Sequence, residues 1–391
     1  MKTKNIFDYP LFALGFRAFF VLAGLSALML IVLWNAIFKG ELVHANYFVP
    51  NLWHAHEMLL GYSVAVVAGF LLTAVKNWTG RPTLSGDQLG GLCLLWLYGR
   101  ILPFYAGLLP DGLIALVDFL FLPLLAYRVS LPILQAKQTV NLVFVAILLV
   151  LAAGNGLVHA QMLGWTNASA NMGIGLVLAT LIVLILVIAG RVYPFFTERA
   201  ISGTMVTKNP LIEGLSIASA VLVFALQLAH VSGTGLAVAA IIAALANFAR
   251  VYGWYVPRIR YVPLLWVLYV GYGWIITGFG LTALAAYQLV LPSLALHAFT
   301  VGGIAVVTLG MMARVSLGHT GRALRVSNAI ALAFVLINVA ALLRVLLPIA
   351  LPNWYDWLVY GSTLCWLAAF ALFIVVYLPI LTQARIDGQE G

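Results

Sequence analysis

The chain has 391 residues, of which 64% are hydrophobic and only 8% charged, with a mean hydropathy of +1.08. No soluble globular domain fits that balance, which describes a polytopic, all-α integral membrane protein. The formal net charge of +9 invites a nucleic-acid reading, which the placement of the basic residues excludes.

Taken in chain order, Met1 to Pro10 lacks the charged, apolar and small-residue pattern of a cleaved signal peptide, so the first span is expected to be retained. With roughly 20 apolar residues needed to cross the hydrocarbon core, the sequence predicts about twelve spans. They lie near 16–37, 52–75, 88–108, 112–131, 139–162, 171–191, 211–231, 235–256, 262–286, 293–317, 327–348 and 356–381. Lys and Arg gather at alternate junctions, from Lys2, Lys4 and Arg17 through Lys76 and Arg81 to Arg322 and Arg385, leaving only Lys39, Arg100 and Arg344 for the opposite side. By the positive-inside rule both termini are cytoplasmic, and the basic balance is a signal of topology. Connections are short, the longest running from about Val192 to Pro210, so residues 1–391 read as a single polytopic membrane domain. Cys93 and Cys365 fall inside spans, which argues against a disulfide or zinc site.

The chemistry concentrates at one end of the spans. The second opens with Trp53-His54-Ala55-His56-Glu57-Met58, and on the predicted topology His44, His54, His56, His159, His230 and His297 share the outer side, leaving only His319 inside. Histidine is costly within a bilayer, and several converging imidazoles point to a haem or copper site. His54 and His56 diverge by about 200° on a helix, so they cannot serve one metal from an unbroken one. His56 and His297 are candidates for bis-imidazole ligation of a haem iron; His54, His159 and His230 are candidates for a second metal such as copper. The alternative for each is a helix-end histidine bonded to backbone, favoured for His230 beside Val231-Ser232-Gly233.

Glu57 reads as an acceptor orienting an imidazole or as a proton donor, against a plain interfacial carboxylate. Arg100, within Gly99-Arg100-Ile101-Leu102-Pro103-Phe104, could clamp a haem propionate or snorkel to the interface. Asp118 needs a partner inside its span, in a proton relay or a helix-packing hydrogen bond. Arg314, His319 and Arg322 read as anchors at the inner end.

An offset of 241 residues carries His56, Gly61, Val66, Gly69, Thr79, Gly80 and Arg81 onto His297, Gly302, Val307, Gly310, Thr320, Gly321 and Arg322. Glycines alone could reflect close helix packing, but the shared Thr-Gly-Arg ending predicts an internal repeat. Equating the second span with the tenth suits a four-helix unit used three times, an arrangement that resembles the catalytic subunit of haem-copper oxidases.

Those stretches, Trp53 to Met58, Gly69 to Gly80, Gly99 to Phe104 and His297 to Arg322, resemble the NnrS family of bacterial inner-membrane proteins over about residues 10–382. Lys76 departs from the family pattern, where proline is expected at that helix end. The resemblance implies a protein that binds haem b and copper and acts in denitrification and nitric oxide tolerance, with His54, His56 and His297 as the matched ligands. Nitric oxide is the implied small-molecule ligand, bound or reduced as in a nitric oxide reductase, and membrane lipids are the surroundings; a quinol and a periplasmic cytochrome are equally open as electron donors, since the sequence has no haem-attachment Cys-x-x-Cys-His. Two other readings compete. A secondary transporter suits twelve spans but not the repeat offset, and a sensor or metallocentre assembly factor would hold metal only transiently.

Overall fold

The computed structural model describes residues 6–41 and 46–389, so His44 lies outside the described residues. Twelve long helices carry the fold, and no strand occurs among the described residues. They are α1 Gly15–Phe38, α2 Pro50–Thr79, α3 Gly86–Ile101, α4 Asp111–Gln135, α5 Thr139–Met162, α6 Ser169–Ala200, α7 Pro210–Leu228, α8 Thr234–Trp254, α9 Pro263–Ala286, α10 Pro292–His319, α11 Asn328–Ala350 and α12 Pro352–Thr382. Proline begins α2, α7, α9 and α10, where its missing N–H removes no helical bond. Among the described residues, eleven helices are long and apolar enough to cross a membrane, so the protein is an all-α, multi-pass membrane protein.

The exception is α3, with 16 residues. At 1.5 Å per residue it spans about 24 Å, short of a hydrocarbon core of about 30 Å. The sequence predicts a longer element here, to about residue 108. Instead the regular helix stops before Pro103, and Leu102–Tyr105 tighten into a 3₁₀ turn.

The repeat offset predicts arcs of four helices; by its internal contacts the chain forms two compact bodies. The first comprises Met1–Thr180, Val315–Ala323 and Ile374–Gly391; the second comprises Leu181–Arg314 and Leu324–Phe373. In the first, Phe20 packs where a Cβ on Gly69 would fall 2.9 Å from its ring, which brings α1 against α2. α5 and α6 meet backbone to backbone, since a Cβ on Gly173 would lie 2.4 Å from the Gly154 carbonyl oxygen. Arg17, fully buried, donates from Nη1 to the carbonyls of Leu381 at 3.0 Å and Gln383 at 2.6 Å, tying the first helix to the end of the last.

The second body is knit by α9 and α10, with Trp274 against Gly302, Phe299 against Gly278 and Val267 against Gly310. It buries its own ion pair, in which Arg250 donates from Nε to Glu213 at 2.8 Å and from Nη1 to the Leu186 carbonyl at 2.9 Å and the Tyr272 hydroxyl at 3.1 Å.

α2 and α10 share an irregularity that the repeat makes intelligible. Each begins as a regular helix, Pro50–His56 and Pro292–His297, and each widens to π-type turns at the very next residue, over Glu57–Ser63 and Ala298–Ala305. Each ends at a left-handed glycine, Gly80 with φ 64° and Gly321 with φ 75°, a conformation that other residues adopt at a cost. Wide turns of this kind recur at functional sites.

Gly173→Val places side chain where backbone already stands and should destabilise the protein by more than the roughly 1–3 kcal/mol usual for overpacking. Thermal unfolding in detergent checks this, with Gly112→Ala, which faces open space, expected to stay within about 0.5 kcal/mol of the parent.

Candidate metal centre

Four helices of the first body converge on one buried polar cluster. α2 contributes His56 and Glu57, α3 contributes Arg100, α4 contributes Asp118, and α5 contributes Asn155 and His159, which share a face as an i, i+4 pair. His56, Glu57, Asn155, Asp118 and His159 are all at most 4% exposed. Charged and polar groups this deep persist only when they satisfy one another.

The wide turn after His56 gives α3 access to α2. Trp96 Nε1 donates to the Gly61 carbonyl at 3.2 Å. One turn on, Arg100 passes so close to Gly61 that a Cβ there would lie 3.0 Å from Nη1 and 3.2 Å from Glu57 Oε2. The Arg100 guanidinium pairs with Asp118 Oδ1 through Nη2 and with Glu57 Oε2 through Nε at 3.4 Å. Gly99 makes room for α4, since a Cβ there would meet Asp118 Oδ1 at 2.9 Å.

The imidazoles sit on the far side of the carboxylates. Glu57 Oε1 lies 3.0 Å from His56 Nδ1, which turns His56 Nε2 toward Asn155 Oδ1 at 3.1 Å and Asp118 Oδ2 at 3.2 Å. Asp118 Oδ2 also accepts from Asn155 Nδ2 at 2.9 Å and faces His159 Nε2 at 2.8 Å. His159 Nδ1 lies 3.3 Å from the Tyr47 hydroxyl. Tyr47 belongs to the segment before α2, where Phe48 covers the His56 ring at 4.4 Å between centroids. Burial, with Asp111 nearby, pushes the Tyr47 phenol well above its ordinary range, so it keeps its proton.

This arrangement can hold a metal ion. One donor atom each from His56, Asp118 and His159 lies within 4.8 Å of the other two, and imidazole with carboxylate suits a first-row transition ion. The outer contacts are those of metal-site histidines: a carboxylate fixes one Nδ1 and a hydroxyl faces the other. Because a hydroxyl both donates and accepts, Tyr47 matches either tautomer of His159. His56 Nδ1 faces Glu57 Oε1 and its Nε2 faces two further oxygens, so acceptors surround this ring as they would surround a cation. A haem does not fit at His56. Its ring is fully buried, both nitrogens are engaged, and the cavity beside the cluster measures about 10 Å³, against several hundred for an organic cofactor.

The other predicted residues differ in their surroundings. His54 faces away from His56, as the helical angle requires, and stacks on Trp34 of α1 at 4.3 Å and 15°. Arg100, expected to grip a propionate or to snorkel, is instead the cation of the buried cluster. His230 and His297 belong to the second body. His230 occupies an exposed turn with φ 56°, and His297 Nδ1 donates to the Ser293 carbonyl at 2.7 Å. Asn155 and Tyr47 were not among the expected residues; the Asn155-x-x-x-His159 spacing was the available signal for the first, and nothing local marked the second.

Comparison with known proteins returns a family model described as NnrS protein, matching residues 10–385. No curated protein matches the chain.

Arg100→Met would strand two buried carboxylates and should cost about 3–5 kcal/mol, with part of that recovered in Arg100→Met/Asp118→Asn. Denaturant unfolding of the three proteins in one detergent measures both differences.

Proposed function

Since the chain belongs to the NnrS protein family, we propose that it is a metal-dependent protein of the bacterial inner membrane that binds or reduces nitric oxide in the response to nitrosative stress. The observation that carries the reading is the buried set of His56, Asp118 and His159, with donor atoms gathered within 4.8 Å. The pattern of basic residues supports cytoplasmic termini and, with them, a position of the cluster in the outer half of the bilayer.

A redox-active ion such as copper, when bound there, supplies a coordination position for nitric oxide and exchanges electrons with it. The chain's own residues do the rest. His56, His159 and Asp118 bind the ion, Glu57 holds His56 by its Nδ1, and Tyr47 holds His159 by its own Nδ1. Arg100 balances the carboxylates, and Phe48 with the surrounding apolar side chains keeps bulk water from the imidazoles. A quinol or a periplasmic cytochrome is the class of electron donor that reduction requires. Haem b remains what the family resemblance implies.

Protein made with copper and purified in detergent should retain close to one copper per chain, and His56→Ala, Asp118→Ala and His159→Ala should each lose it. Retention in all three variants, or none in the parent, would overturn the assignment; none in the parent would favour the transporter or assembly readings. Tyr47→Phe should weaken copper binding by about 10–100-fold while leaving the fold intact, which competition with a chelator of known affinity measures. A reduced-minus-oxidised absorbance spectrum of the same preparation reads any haem directly.

A further inference from the structure

Three arginines among the described residues are at most 6% exposed, and two of them hold acceptors of the chain itself. Arg17 donates to the carbonyls of Leu381 and Gln383, and Arg250 to Glu213, the Tyr272 hydroxyl and the Leu186 carbonyl. Arg314 is the third. Expected as an anchor at the inner end, it is buried instead, and among the described residues it has neither an acid nor a hydrogen-bond acceptor. Its one specific contact is with a ring: the guanidinium carbon stands 3.7 Å from the centroid of Phe196 on α6, in the same body. A ring face steadies a cation but leaves its N–H edge without an oxygen. The Arg314 nitrogens are not fully enclosed, in contrast to Arg344 Nη1, so an acceptor from outside the chain has access to them. A guanidinium this deep in a membrane protein is costly until an anion meets it.

Depth indicates which anion. α10 has 28 residues, about 42 Å of helix, which matches a bilayer of about 40–45 Å with its headgroups. Arg314 precedes the end at His319 by five residues, about 7–8 Å. Its Cα therefore stands at the edge of the hydrocarbon, and its side chain reaches the level of the lipid phosphates. We propose that Arg314 is the seat of a phospholipid headgroup: the guanidinium, steadied on Phe196, donates to two oxygens of a lipid phosphate through its planar fork. Exposed Arg191 and Arg199 flank Phe196 along α6, and the acid beside them, Glu198, turns Oε1 to the Val206 N–H at 3.1 Å. The surplus charge is positive, so a lipid with net negative charge is preferred to a zwitterionic one. This seat belongs to the second body and stands independently of the metal reading.

Thermal unfolding of the delipidated full chain in a neutral detergent tests the seat, with phosphatidylglycerol, an uncharged diacylglycerol or inorganic phosphate added to the parent, Arg314→Gln and Arg314→Lys. Phosphatidylglycerol should raise the Tm of the parent and leave that of Arg314→Gln unmoved, with Arg314→Lys between them because it keeps the charge but loses the fork. The diacylglycerol and inorganic phosphate should raise none of the three. Native mass spectra of the same samples should show phosphatidylglycerol held about 10–100-fold more weakly by Arg314→Gln than by the parent, the loss expected for a charge-assisted pair. Equal lipid response and retention in the parent and Arg314→Gln would overturn the seat. A shift of the parent by inorganic phosphate as large as that by the lipid would assign the site to a free oxyanion, and one by the diacylglycerol would reduce the contact to apolar burial; either result overturns the proposal. Should Arg314→Gln not fold, Arg314→Lys carries the comparison, and lipid retention unchanged from the parent there would overturn it equally.

Discussion

The polar cluster of the first body is arranged around a buried charge that is costly inside a membrane. Arg100 stands between Glu57 and Asp118 at a depth where an isolated ion is prohibitive. Two carboxylates against one guanidinium leave the cluster one positive charge short of balance when both imidazoles are neutral. A cation among the imidazole nitrogens supplies that charge, so the ion pair and the metal reading follow from the same count. The packing serves the same end. Gly61 and Gly99 are the places where α2 and α3 give up side chain so that the guanidinium can reach both acids.

The backbone contributes as well. A regular helix continuing from His56 would keep the α2 carbonyls within its own ladder, whereas the widened Glu57–Ser63 segment presents Gly61 to Trp96. Trp96 and Arg100 lie one turn apart on the same face of α3, so one bond to the main chain and one to the acids set the same register. The matching segment after His297, in a helix packed against Trp274 and Ile275 of its own body, shows the repeat reused as backbone geometry with different side chains. Where α2 spends its glycine on a guanidinium, α10 spends it on an indole.

How much of this could be read beforehand divides along physical lines. Hydropathy recovered the spans because crossing a bilayer imposes length and apolarity on each helix separately, and only α3 fell short, where Pro103 ended it. The importance of His56 and Glu57 was legible from the cost of polar groups at that depth, and the divergence of His54 from His56 from the helical angle alone. What could not be read was partnership. Arg100 looked like a residue reaching outward because nothing in its own helix announces that two acids, 43 residues before and 18 after it, face it. Asp118 was seen to need a partner, but neither its choice of three helices nor the role of Tyr47, in a connection without periodicity, leaves a mark in local sequence. The distant neighbours of His56 within its own body, Asn155 and Asp118, likewise leave no mark in the sequence around it.

The central claim is that two imidazoles and a carboxylate of one buried cluster bind a single redox-active ion. X-ray absorption at the copper edge of the loaded protein tests it most directly. The account predicts a first shell of nitrogen and oxygen at about 2.0–2.2 Å, with the outer-shell scattering of two imidazole rings, lost together in His56→Ala/His159→Ala. A shell dominated by sulfur, or two imidazoles still present in that double variant, would contradict it.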